Sequence, residues 1–589
     1  MTQRTLRIGG ASGAWGDSPR AVGQLLTAEI DYLMMDFLAE VTMSLLARVR
    51  LKDPEGGFAP DFIGYLKPHL AALAQRKIRV VSNAGGVNPV ACKLALEAVC
   101  RDAGLTLKVA VVTGDDLMPQ IDTLREQDVR EWVSGEPLPS RLLTANAYLG
   151  ALPIARALAS GADIVITGRC ADSALALGIL MHEFGWQADD HDRLAAGSLV
   201  GHVLECGPQA TGGVFTDWER VPGWDNIGYP IAECHADGSF ALTKPAGTGG
   251  LIDPACVAEQ VLYEIGDPRA YILPDVVADF SRLQITQDGP DRVLLRGAIG
   301  RPPTSQYKVS ATYQDGFRSV VLVVIIGVDA ARKAERTAQA LVDRGNDTFR
   351  RRKLPEFSRV HIEALGAEAS YLADARTRDT REVVLRLVVE HPDPKALSLF
   401  AQEIGSAGLG CAQGTASILG GRPKPAPVVR LFTFFIDKAR LDPLTVQVGQ
   451  EPGVAVAVPT SGGYVPPPAE AEPGQEAADA TTRVPLVRLA HARSGDKGNS
   501  SNIAIFCRKP EYRAHIASWL TPERVAQHFA GTVFGAITRF DAPGLGAFNF
   551  LLEDALGGGG MASMRVDSQG KAFGQRLLEI MVPVPAAWA

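Results

Sequence analysis

The feature that most constrains the fold is a unit that recurs through roughly the first 290 residues: an apolar run, a turn of glycine and polar residues, then apolar residues at helical spacing. Its clearest copy is "KIRVVSNAGGVNPVACKLALEAVCRDAG". Lys77 to Val81 read as a strand, Asn88 as a helix cap and Pro89 as a first-turn residue, and the apolar positions from Val90 to Val99 follow a helical period. "LRIGGASGAWGDSP" opens the series, "IDYLMMDFLAE" adds a strand followed by an acidic cluster, and "KVAVVTGDDL" and "ADIVITGRCADSALALGIL" repeat the scheme. These strands are rich in Val and Ile with little alternation, as expected when helices cover both faces of a parallel sheet. Such sheets bind ligands beyond the C-terminal ends of their strands, where the polar turns would gather.

Beyond Arg296 the pattern changes. "KVSATYQDGFRSVVLVVIIGVDAARKAERTAQALVDRG" predicts a hairpin and then a helix, with Asp329 as its cap. "REVVLRLVVEHP", "KALSLFAQEIGSAG" and "RLFTFFIDKARL" continue the alternation of strands with a helix. "YVPPPAEAEPGQEAADATTR" has the composition of a linker. The chain of 589 residues exceeds what one hydrophobic core organises. The expected class is α/β: a mostly parallel domain over 1–297, a second α+β domain over 298–465, a linker over 466–483 and a small α+β domain over 484–589.

Charge and cysteine usage narrow the function classes. A net charge of −7 argues against general nucleic-acid binding, although from Arg483 onward twelve Lys or Arg stand against eight Asp or Glu. Eight cysteines without paired metal spacing read as reduced thiols of a cytoplasmic protein. "VVLVVIIGV" is too short to span a bilayer, so no membrane insertion is expected, and nothing at the start resembles a secretory leader.

Several turns carry groups that could do chemistry. In "GGASGAWGDSP", Ser12 lies among glycines whose amides could cradle an anion, or the turn is simply a tight strand-to-helix connection; it matches neither the dinucleotide fingerprint nor a Walker loop. In "SNAGGVNP", Asn83 and Asn88 bring amides while Gly85 and Gly86 admit a close ligand. "TGDD" sets adjacent carboxylates at a strand end, able to bind a hydroxyl, relay a proton or hold a divalent cation, or else to cap a helix; the motif alone does not define a metal site. "TGRCADS" combines Arg169, a clamp for a carboxylate or phosphate, with Cys170 and Asp172; the alternative is an Arg–Asp pair tying a turn beside a packed thiol. "GHVLECGPQATGG" is densest: His202 for proton transfer, Glu205 as base or orienter, Cys206 as a nucleophile. A strand there would point Glu205 and Cys206 to opposite faces. Lys244 in "TKPAGTGGL" suits an anionic ligand or plain solvent, and "YEIGDPRAYILPDV" reads as turns with a rim or lid role. Finally, "ARSGDKGNSSN" packs Arg493, Asp496, Lys497, Asn499 and Asn502 into one connection, either to contact a ligand or to hold a domain interface.

The motifs "SGAWGDS", "SNAGGVNP", "TGRCADS", "LECGPQATGG" and "TKPAGTGG", with "ARSGDKGNSSNIAI" and "GGGGMASMRVDSQGKAFG" later on, resemble in combination and order the acyclic terpene utilisation AtuA family and its C-terminal AtuA-like domain. This resemblance implies a catabolic role on CoA esters of acyclic terpenoid or branched acids, through a hydratase or carbon–carbon lyase reaction. A noncatalytic acyl-CoA-binding or scaffold protein of the same pathway is the alternative. The expected partners are a small-molecule acyl-CoA and further copies of the chain in a homo-oligomer; the CoA thioester enters as part of the substrate, and no metal ligands are assigned. In the expected mechanism glycine-rich backbone amides stabilise an enolate, a carboxylate or His202 moves the proton, and Arg169 or Lys497 holds the anionic end.

Overall fold

A computed structural model of the protein describes residues 4–468, 474–475, 477 and 479–589, so part of the expected linker at 466–483 lies outside the described residues. Five parallel strands form the centre of an eleven-stranded sheet, in the spatial order Leu6–Ser12, Tyr32–Met35, Arg79–Ser82, Ile164–Thr167 and Val109–Thr113. Tyr32–Met35 and Ile164–Thr167 are buried along their whole length, which accounts for their unbroken apolar character. Helix Pro89–Asp102 begins as its sequence indicates: Asn88 Oδ1 accepts the Ala91 N–H at 3.4 Å and Pro89 occupies the first turn.

Antiparallel strands extend this centre at both edges. Ile231–Cys234, Phe240–Thr243, Val293–Arg296 and Gln284–Gln287 follow Leu6–Ser12 outward. On the other side Leu444–Val448 and Val454–Val456 follow Val109–Thr113. Strand pairing therefore crosses the expected 297/298 division. The same holds in reverse, since Thr144–Ala147 pairs with the long strand Gln306–Ile326 of the second unit.

That long strand overturns the expected hairpin. Gln306–Ile326 runs 21 residues without reversing, and Asp315-Gly316 makes a register break against Ala426–Asp437 instead of a turn, with Gly316 at φ +73°. Glu382–His391 and Arg359–Leu365 complete the sheet on one side, under the amphipathic helix Ala330–Arg351. Asp329 does not cap this helix: it sits at φ +57° and makes no side-chain capping bond among the described residues.

The C-terminal unit is a four-stranded antiparallel sheet in the order Ala490–Lys497, Ser500–Cys507, Ala547–Leu552, Ile537–Ala542, with its own core and the helices Arg513–Trp519 and Pro522–His528 on one face. Its first hairpin carries "SGDKGNSS", turning at Gly498 with φ +65°. Asparagines dock it to the large unit. Asn502 Nδ2 donates to the Leu262 carbonyl at 2.9 Å and its Oδ1 accepts the Glu264 N–H at 3.1 Å, while Asn549 Nδ2 donates to Ile265 and Gly266 carbonyls at 2.7 and 2.5 Å. No described helix is long and apolar enough to cross a membrane.

Candidate active site

The parallel strands end on polar residues that meet. The Ser12 hydroxyl donates to the Asp36 carbonyl at 2.9 Å, Asn83 Nδ2 donates to Asp36 Oδ1 at 2.7 Å, and Asn83 Oδ1 accepts the Phe37 N–H at 2.8 Å. Asp115 accepts the Arg169 N–H and Asn146 Nδ2, each at 2.8 Å, and so fixes the turn after Ile164–Thr167. Arg169, only 3% exposed, reaches back to the Leu38 carbonyl at 3.0 Å, pairs with Asp172 at 2.7 Å and lies 4.2 Å over the Tyr148 ring.

Around Arg169 the carboxylates differ in character. Burial raises Asp172 most, Arg169 opposes, and the charges of Glu205 and Glu40 add to the rise, so its pKa is held up to about 6. Burial and the Asp172 charge push Asp36 well above the ordinary range, although Asn83 and Arg169 pull the other way. Glu40 goes down instead: burial works to raise it, but Lys308, Arg169 and the Tyr148 hydroxyl outweigh this and bring it to about 2. One recess thus holds an anion fixed in its charged form and a carboxyl able to exchange its proton near neutrality.

His202 and Glu205 enter from helix His191–Leu204, which replaces the strand considered from sequence. The i, i+3 spacing brings His202 Nδ1 to 2.8 Å from Glu205 Oε1. The other ring nitrogen lies 3.1 Å from the Val261 carbonyl, and the ring stacks near Phe280. Both nitrogens are committed, so His202 positions Glu205 and does not itself meet a ligand. Burial, with the charges of Glu205 and Glu264, drives the Cys206 thiol well above its usual range, which disfavours the thiolate that a nucleophile needs. Cys170 is likewise buried and pushed up.

The hairpin of the C-terminal unit closes the opposite wall. Lys497 Nζ lies 5.4 Å from the Tyr271 ring centre. Lys497 is exposed at the hairpin turn, yet the protein around its Nζ, with the Lys308 charge beside it, lowers its pKa against the pull of Glu264, Glu205 and Glu40. Asp496 accepts from Lys571 Nζ at 3.1 Å, and Lys571 also bonds Glu264 at 3.0 Å and the Tyr263 hydroxyl. Asp172, Glu40 and Lys308 retain 32, 28 and 42% side-chain exposure, so they border accessible space.

Other residues singled out from sequence serve elsewhere. The amides of the Ser12 turn are taken by its own Asp17, which accepts the Gly13 and Ser18 N–H groups at 2.9 and 2.6 Å, so this turn does not offer an anion cradle. Gly85 donates to the Thr167 carbonyl, a Cβ there would meet that oxygen at 2.5 Å, and Gly86 packs on Leu46. Asn88 holds the Pro54 and Gly56 carbonyls besides its capping bond. The Gly86 N–H is likewise taken by the Asn83 carbonyl at 3.3 Å, so the amides of Gly85 and Gly86 are committed within the protein. Lys244 pairs with Asp291 at 2.9 Å and donates to the Thr248 carbonyl. Arg493 lies 4.4 Å over Tyr263 in a neighbouring groove and donates to Val214 and Gln209. Asn499 bonds Asp554 and the Gly558 N–H within its own domain.

Asp36, Glu40, Tyr148, Lys308 and Lys571 complete the recess without having been singled out as site residues. Asp36 and Glu40 lie in the acidic cluster "MMDFLAE" after the second strand, which was the available signal. Among the described residues, no group of three or more His, Cys, Asp or Glu side chains is arranged to hold a metal ion.

Two family models match the chain. The model described as acyclic terpene utilisation family protein AtuA matches residues 6–446. The model described as AtuA ferredoxin-like domain matches residues 484–583. Searches of curated proteins and of solved structures returned no match.

Proposed function

The chain belongs to the acyclic terpene utilisation family AtuA, and from that premise we propose that it is an enzyme acting on a CoA thioester of an acyclic, branched acid, by a hydratase or carbon–carbon lyase reaction. The observation that carries this reading is the Asp172 carboxyl, with a pKa of about 6, beside the Arg169 guanidinium, with the charges of Glu205 and Glu40 acting both on it and on Lys497 of the hairpin.

Both reactions pass through negative charge on the thioester oxygen, and cations held in place beside that oxygen stabilise such charge. In the lyase direction Asp172 takes the proton of a tertiary hydroxyl, the Cα–Cβ bond breaks, and its electron pair enters the thioester as an enolate. Glu205, oriented by His202, returns a proton to Cα. In a hydratase reaction water adds across the Cα–Cβ double bond: a carboxylate takes one proton of the water as the water oxygen bonds Cβ, the π electrons enter the thioester as an enolate, and Glu205 delivers a proton to Cα. Arg169 and Lys497 hold the developing oxyanion, replacing the glycine amides.

The test is incubation of the full chain with a panel of branched acyl-CoAs, followed by mass spectrometry. A mass gain or loss of water, or a pair of fragments, supports the reading. Saturable binding without any product would favour a noncatalytic acyl-CoA-binding role.

A further inference from the structure

A second cavity, of about 440 Å³, lies between strand Arg359–Leu365 and the C-terminal domain and takes no part in the proton chemistry. Arg359, Arg565 and Arg576 line it, against the carboxylates Glu363 and Asp567. Both carboxylates are already committed. Glu363 pairs with Arg386 at 2.5 Å and His361 at 3.2 Å and accepts the Val566 N–H at 3.0 Å. Asp567 accepts the Lys571 and Ala572 N–H groups at 2.9 and 3.0 Å. Arg359 shares Glu390 with Arg318 and Arg430, three guanidinium groups around one carboxylate.

Arg565 and Arg576 have no carboxylate within ion-pair distance among the described residues. Arg565 donates to the Thr532 and Ala555 carbonyls at 3.0 and 2.6 Å. Arg576 is 6% exposed, flanked by Phe529 and Phe573 at 4.8 and 5.6 Å, and its Nε is buried with no hydrogen-bond partner among the described residues. Burial lowers the pKa of both groups, against the pull of Asp554, Glu363 and Asp567 on Arg565 and of Tyr371, Asp567 and Asp374 on Arg576. Paired guanidinium groups facing one cavity suit the oxygens of a phosphate.

The cavity is also placed for a long ligand. Ser370 and Asp567 border both it and a groove of about 700 Å³, whose wall includes Arg493, Tyr263 and Lys571. Lys571 bonds Asp496 and Glu264 at the edge of the catalytic recess.

We propose that the cavity at Arg565 and Arg576 binds a phosphate monoester, the 3′-phosphate of the CoA carrier, whose arm follows the groove past Lys571 to the recess. This inference rests on the proposed thioester chemistry. The carrier's charged end is then read by the seam between two domains, far along the chain from the reacting groups.

Isothermal titration of the full chain with CoA, 3′-dephospho-CoA and inorganic phosphate tests it. CoA should bind about tenfold more tightly than dephospho-CoA, the worth of a charge-assisted contact. Arg565→Gln should abolish most of that preference and leave dephospho-CoA affinity unchanged. The wild-type comparison stands by itself if the variant fails to fold. CoA binding with no preference for the 3′-phosphate would overturn this inference and leave the thioester reading intact. Failure of every CoA species to bind would overturn both, and binding of inorganic phosphate alone would remove the carrier from the assignment.

Discussion

Lys497 Nζ lies 5.4 Å from the ring centre of Tyr271, although Lys497 stands on the C-terminal hairpin and Tyr271 in the large unit. The recess is therefore built across a domain interface, which Asn502 and Asn549 hold in register through their bonds to the 262–266 backbone. Replacing Lys497 by Met keeps most of the side-chain volume and removes the charge. Turnover of the thioester should fall about 10²–10³-fold, the worth of one electrostatic stabiliser, while thermal unfolding changes little. Steady-state kinetics beside calorimetry checks this.

A carboxyl that must accept a proton works only when ionised. With the Asp172 pKa at about 6, kcat/KM should rise with pH through an acid limb near that value and level off above it. Asp172→Asn should lower kcat by about 10²–10⁴-fold. A pH–rate profile with its acid limb near 4 would detach Asp172 from the proton transfer.

Cys206 offers a clean contrast. Its thiol is driven up by burial and by Glu205 and Glu264, so at neutral pH it stays protonated and reacts slowly. Cys206→Ala should retain activity within a few-fold, and the thiol should resist iodoacetamide at pH 7 in the folded protein. Mass mapping of the alkylated cysteines measures this.

Stability should also record a buried acid at the domain interface. Glu259 accepts the Thr216 N–H at 3.3 Å, and burial raises its pKa to about 8, against the pull of Thr216 and Arg493. A carboxyl raised in the folded state favours the fold at low pH, and this contribution is lost as pH climbs from its ordinary range through about 8. Glu259→Gln has no such loss. Its stability relative to wild type should therefore increase by at most ~1.4 kcal/mol per pH unit across that window, read from urea midpoints at several pH values.

Much of this architecture can be read from the chain, because local pattern and tertiary role agree in the parallel strands. Asn83 and Arg169 follow apolar runs whose burial on both faces leaves only the strand end for polar groups. Lys497 was legible for a different reason: a hairpin turn needs few polar residues, and "SGDKGNSS" has a surplus. The His202–Glu205 pair was harder to see. Gly197 and Gly201 weaken a helical reading of "HDRLAAGSLVGHVLE", yet they are what lets the helix pack, since a Cβ at Gly201 would sit 2.4 Å from the Ser173 carbonyl. Glu40 stands in a visible acidic cluster, but Tyr148 and Lys308 leave no local trace of meeting it. Their meeting depends on Thr144–Ala147 pairing with Gln306–Ile326, a contact between segments about 160 residues apart.

The central claim is that the Glu205 carboxylate and the cation of the hairpin act together on the carbon beside a thioester. Solvent exchange of that carbon's hydrogen, followed by mass spectrometry of a branched acyl-CoA in D2O, tests it most directly. Wild-type protein should introduce deuterium at Cα, and Lys497→Met and Glu205→Gln should each nearly abolish the exchange while remaining folded. Exchange unchanged in both variants, or absent from the wild type across the acyl-CoA panel, would contradict it.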